Sequence, residues 1–173
     1  MELFLELLKY ALPAIVVLVA VYVMLSSFFR EEENRRMFQI RKETAKAALP
    51  LRLQAYERYT LLLERITPIN LVMRIAPGKQ SLKSYQSTLI TAIRQEYEHN
   101  VAQQIYVSAE AYSLIKTAKD TTISIINQSV GQMEAEATAE DLAKRLLSLS
   151  IEKDLMPTQR AIEFLKEEVI KLF

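Results

Sequence analysis

The sequence predicts an all-α protein: one N-terminal transmembrane helix followed by a cytoplasmic antiparallel helical bundle. Three observations carry that expectation. Residues 10–29 hold twenty positions without a charge, between Lys9 and Arg30. The 173-residue chain has only two glycines, Gly78 and Gly131, and five prolines, whereas an all-β fold needs a turn signal every 8–12 residues or so. Downstream of residue 50, apolar residues recur every three to four positions, which is the helical period.

The first element expected is the anchor, residues 1–29 with a span at about 10–29. At roughly 1.5 Å per residue, a helix of that length covers roughly 30 Å, the thickness of bilayer hydrocarbon. Pro13 stands near its start, where a missing N–H is tolerated. A cleaved signal peptide fits less well, because Glu2 and Glu6 precede Lys9 where a basic region is needed. Lys9 alone stands before the span, and Arg30, Arg35, Arg36, Arg41, Lys42 and Lys46 follow it. That asymmetry puts the N-terminus outside and the C-terminal domain at the cytoplasmic face of the inner membrane. The same six residues are a juxtamembrane basic cluster, opposed by Glu31, Glu32 and Glu33.

Residues 30–49 are charged and free of Gly and Pro, so the helix is expected to continue through them. Pro50 is expected to kink or end it near Leu49. Residues 50–173 read as the bundle. Leu49, Leu53, Tyr56, Tyr59, Leu63 and Ile66 mark the first helix face. Thr67-Pro68 reads as an N-cap with Pro at the first helical position. Residues 69–75 fit a short helix or a strand. Ala76-Pro77-Gly78 is the clearest loop. A helix then starts around Ser81, with Leu82, Tyr85, Leu89, Ile93, Tyr97 and Val101 on one face, and runs to about Ile105. Ser108 caps the next, which buries Tyr112, Ile115, Ala118, Ile126 and Val130. The β-branched run 121–126 weakens that helix locally. After a connection at 131–138, Thr138 and Asp141 resemble a capping box opening a helix with Leu142, Leu146 and Leu149. Met156-Pro157-Thr158 restarts the chain into a last helix with Ile162, Leu165, Val169 and Leu172. A coiled-coil oligomer is the main alternative, but Pro50, Pro68, Pro77, Gly131 and Pro157 interrupt any single long rod.

The chemistry-bearing residues are sparse. There is no Cys, and the net charge is +1, so neither thiolate metal sites nor a basic nucleic-acid face is expected. Glu96 and His99 have the Glu-x-x-His spacing of half a carboxylate-bridged di-iron site, which needs the motif on two helices. The chain has one His, so only a symmetric dimer could supply both. Pro77-Gly78-Lys79 is no phosphate-binding loop, since Met73 and Gln80 stand where that motif requires Gly and Ser or Thr. No cofactor and no small-molecule substrate are expected. Glu96, Glu98, His99, Asn100, Gln103 and Gln104 crowd one stretch and form a possible partner-binding surface.

Two stretches also carry a resemblance: Leu53-Gln-Ala-Tyr-Glu-Arg-Tyr59 with residues 61–65, and Gln95-Glu-Tyr-Glu-His-Asn100 running into Gln103-Gln-Ile-Tyr-Val-Ser108. Together with the N-terminal apolar run and the helix after Pro157, the chain resembles a bacterial family of small, singly membrane-anchored helical proteins with no assigned activity. The resemblance covers most of the length. It implies location and architecture and carries over no functional residues.

The function expected from these readings is a noncatalytic membrane-anchored adaptor or scaffold, presenting a helical protein-binding domain or self-associating. The alternative is an accessory or stator-like subunit of a larger membrane complex. A metal- or lipid-dependent enzyme is a remote third reading.

Overall fold

The computed structural model describes residues 1–152 and 157–172, with side chains described for Met1, 15–149 and 157–172. Among the described residues every regular element is helical. The order is α1 (Glu2–Arg65), α2 (Pro68–Arg74), α3 (Leu82–Asn100), a 3-10 turn (Val101–Tyr106), α4 (Ala109–Gly131), α5 (Ala139–Glu152) and α6 (Pro157–Ile170). The chain divides into two units, Met1–Leu49 and Pro50–Phe173.

The first unit is helix from Glu2 onward. Its side chains from residue 15 to residue 47 are exposed, among them Val16, Leu18, Met24, Phe28, Phe38 and Ile40. No helix among the described residues is long and apolar enough to cross a membrane. This corrects the expected transmembrane helix, and with it the single-pass topology and the inner-membrane location. Where the apolar positions end, Arg30, Glu31, Glu32 and Glu33 put four successive charges into the same helix, and a charge in hydrocarbon is costly. The membrane-flanking role of Arg30, Arg35, Arg36, Arg41, Lys42 and Lys46 falls with the span. All six are exposed. Arg35 pairs with Glu31 at 3.5 Å and Arg36 with Glu32 at 3.8 Å, one turn apart. Such solvated pairs are worth about 0.3–0.5 kcal/mol each.

Pro50 does not end the helix: α1 runs on to Arg65. The residue removes one backbone donor, and the turns on either side hold the helical path. From there α1 belongs to the second unit and buries Tyr56, Tyr59, Leu62 and Leu63.

The second unit has one core. Leu71 and Val72 of α2, Tyr85, Leu89 and Ile93 of α3, Ile115 and Ile126 of α4, Leu142 and Leu146 of α5, and Ile162 and Leu165 of α6 all enter it. Helix α4 packs on α3, α5 and α6, while α5 also meets α2 and α3. Of residues 69–75, those up to Arg74 are helix and Ile75 is the C-cap. Thr67 Oγ1 accepts from Asn70 N at 3.4 Å, and Pro68 stands in the first turn. Ser81 and Ser108 cap α3 and α4 by accepting from Ser84 N and Ala111 N. Helix α3 stops at Asn100 rather than running to Ile105. Val101 N–H bonds Glu98 O, three residues back, and the backbone tightens into the 3-10 turn.

The β-branched run 121–126 stays helical. Thr122 Oγ1 donates to Ala118 O at 2.8 Å, returning its hydroxyl to the preceding turn of α4. At α5, Thr138 Oγ1 accepts from Asp141 N at 3.3 Å, while Thr138 N donates to Asp141 Oδ2 at 3.0 Å. This is the reciprocal bonding of a capping box. Pro157 opens α6 as expected, while Met156 lies outside the described residues.

Candidate functional site

The polar stretch at the end of α3 does not act as one surface. Glu96 turns inward, with its side chain 17% exposed. Its Oε1 accepts from Arg74 Nη1 at 2.8 Å and forms an ion pair with Arg65, whose Nε lies 3.0 Å away. Asn100 is buried and donates through Nδ2 to Glu96 O at 2.9 Å. Gln103 is half-buried. Glu98, His99 and Gln104 remain exposed, beside the exposed Val101 and Ile105 of the 3-10 turn. Of the Glu-x-x-His pair, Glu96 is therefore engaged by two guanidiniums, which leaves it poorly placed as a metal ligand.

Arg65 and Arg74 are functional candidates that sequence reading missed. They stand 31 and 22 positions from Glu96, and no local spacing links them to it. Helix α2 brings them together by folding back across the end of α1. Asn70 Nδ2 donates to Glu64 O at 2.8 Å and Arg74 Nη2 to Arg65 O at 3.4 Å, so α2 satisfies the open carbonyls of the last turn of α1. The two guanidiniums, Gln95, Glu96 and His99 then line a pocket of about 300 Å³.

A second concavity is apolar. Leu53 and Tyr56 of α1 and Leu165, Val169 and Ile170 of α6 line a groove of about 470 Å³. Exposed Glu57 stands on its α1 wall and exposed Lys166 on its α6 wall. Tyr56 Oη donates to Glu168 Oε2 at 3.1 Å and ties the two walls together. Burial is the main cause that pushes the Tyr56 hydroxyl above its usual range, with the Glu168 carboxylate adding to it against the opposing effect of Arg52. Ile170 is left 73% exposed at one side of the groove.

A third cluster is half-buried against the core. Tyr97 and Tyr112 share a hydrogen bond of 2.6 Å between their hydroxyls, with rings stacked at 6.4 Å. Lys119 Nζ lies 4.6 Å from the centre of the Tyr97 ring and 2.8 Å from Asp120 Oδ1. Tyr59 is fully buried, and its hydroxyl meets no partner among the described residues. Burial pushes it up to about 12, with Tyr112 adding to the effect. Tyr97 is raised as well, first by burial and then by its bond to Tyr112.

These features define an all-helical bundle with an open apolar groove and an arginine-lined pocket. The chain belongs to the family DUF7935, described as a family of unknown function, which matches residues 2–172. The match bears out the expected membership of an uncharacterised family; the membrane anchor that came with the resemblance is corrected above. No curated protein and no solved structure matches the chain.

Proposed function

We propose that this protein is a noncatalytic adaptor whose helical bundle docks an amphipathic helix of a partner protein in the groove between α1 and α6. The observation that carries the reading is the groove itself, with an apolar floor and one opposite charge on each wall. Helix-in-groove recognition uses apolar anchors at i, i+3, i+4 and i+7 of the incoming helix. Glu57 and Lys166 specify the rest: a basic residue on the side of that helix facing α1, and an acidic one on the side facing α6. The bacterial origin implied by the resemblance is part of the same reading.

A photo-crosslinker at Ile170 in the full-length protein tests it. The expected product is one recurring peptide with that apolar face and charge pattern. Capture of this peptide at Ile170 is expected to fall at least about tenfold in a variant carrying Glu57→Lys and Lys166→Glu, which reverses both walls. Crosslinked peptides without an amphipathic face, or capture indifferent to the reversal, overturn the proposal.

A second reading, an accessory subunit of a larger assembly, is favoured by a different observation. The apolar side chains at 15–25 are exposed around the whole helix, and helices apolar on every side are normally buried.

A further inference from the structure

We propose that the pocket bounded by α1, α2 and α3 binds a phosphate group, with Arg65 as its principal ligand and Arg74, Gln95 and His99 around it. The site is separate from the α1–α6 groove, and its test does not depend on that reading.

The charge balance favours an anion. Two guanidiniums face one carboxylate, so the pocket carries a surplus of one positive charge before His99 is counted. The donor balance favours it further. Glu96 engages both arginines through the single oxygen Oε1. Arg74 uses its two terminal nitrogens, one on Glu96 and one on Arg65 O. Arg65, 53% exposed, meets Glu96 as an ion pair at Nε, and among the described residues its terminal nitrogens Nη1 and Nη2 make no hydrogen bond. Those nitrogens carry four N–H donors. Gln95 adds an amide and His99 an imidazole, both from the exposed side of α3.

The geometry selects the anion. A carboxylate offers two oxygens in one plane, enough for the Arg65 fork alone. Donors on Arg65, Gln95 and His99 around one pocket suit a group with three terminal oxygens and up to two negative charges. Glu96 then acts as a positioning residue. By bonding Arg74 Nη1 and holding the Arg65 guanidinium beside it as an ion pair, it restricts both before the ligand arrives, so less side-chain freedom is lost on binding. A bare ion-pair clasp between helices accounts for Glu96 and Arg74, but leaves the unused fork of Arg65 without a role.

The lone histidine provides the probe. Its imidazole resonances are followed in the full-length protein as inorganic phosphate or phosphoserine is added, with acetate and chloride at matched ionic strength. The expected result is a saturable shift with both phosphate probes. Tighter binding of phosphoserine assigns an esterified phosphate as the source, and equal or tighter binding of inorganic phosphate assigns the free ion. Arg65→Gln is expected to weaken binding at least about tenfold, and the exposed change Gln95→Ala about threefold, which keeps the test intact if the arginine variant loses its fold. A shift that follows ionic strength alike for chloride and phosphate overturns the proposal. So does acetate binding as tightly as phosphate, or unchanged affinity in both folded variants.

Discussion

Two tyrosine hydroxyls in this core find each other and a third does not. Tyr97 and Tyr112, half-buried at the edge of the core, exchange a hydrogen bond of 2.6 Å, while Tyr59, fully buried, leaves its hydroxyl without a partner among the described residues. An unmet buried hydroxyl costs stability, whereas cutting one side of a satisfied pair creates such a cost. Tyr59→Phe is therefore expected to raise unfolding free energy by about 1 kcal/mol, and Tyr112→Phe to lower it by about 1 kcal/mol, both read by urea denaturation. The titration has a defined direction. Burial lifts Tyr59 from the ordinary 10 to about 12, so the fold favours the neutral hydroxyl. That contribution is whole below pH 10 and is lost as pH rises from 10 toward 12. Alkaline unfolding that begins in this window, and moves upward in Tyr59→Phe, is the expected observation.

At the scale of the elements, capping decides where the helices begin. Thr67, Ser81, Ser108 and Thr138 each stand at a helix start with a side chain bonded to the first turn. The cap of α5 is the one open to titration. Thr138, through side chain and backbone, holds the Asp141 carboxyl below the usual range. A depressed carboxylate stabilises the fold above its unfolded value, and that contribution disappears as pH falls through the folded one. Thr138→Ala is expected to lose about 1 kcal/mol at neutral pH, and Asp141→Asn to flatten the acid limb of the stability curve. Acid titrations followed by circular dichroism check both. Pro50 teaches the opposite lesson, because it stands inside α1 without ending it. The turns on both sides keep their own hydrogen bonds, and one missing donor does not outweigh them.

The whole molecule divides at Leu49 and Pro50 into a long exposed helix and a bundle with its own core. The exposed apolar side chains at 15–29 give the first unit a surface that a lone protein in water rarely carries. If the accessory-subunit reading holds, native mass measurement after gentle extraction shows the chain with partners or with copies of itself. A lone monomer overturns that reading. Truncation to residues 50–173 is expected to leave the bundle's melting cooperative, since among the described residues every buried residue of the core lies after residue 50.

Helical class, caps and core faces were legible in the sequence because they are local. The period of Leu82, Tyr85, Leu89 and Ile93 is set by the turn of the helix, and the Ser108 and Thr138 caps act within three residues. The short helix at 68–74, ambiguous by pattern, followed from the Thr67 cap and from the carbonyls of α1 that Asn70 and Arg74 reach. The polar stretch at 96–104 was visible, but its division was not. Whether Glu96 faces water or two arginines depends on α2 crossing the end of α1, which no spacing encodes. The apolar run at the N-terminus was equally plain, yet among the described residues no helix is long and apolar enough to cross a membrane. Periodicity and capping are properties of neighbours along the chain; the arginine pocket and the α1–α6 groove exist only where distant helices meet, so tertiary packing alone decided them.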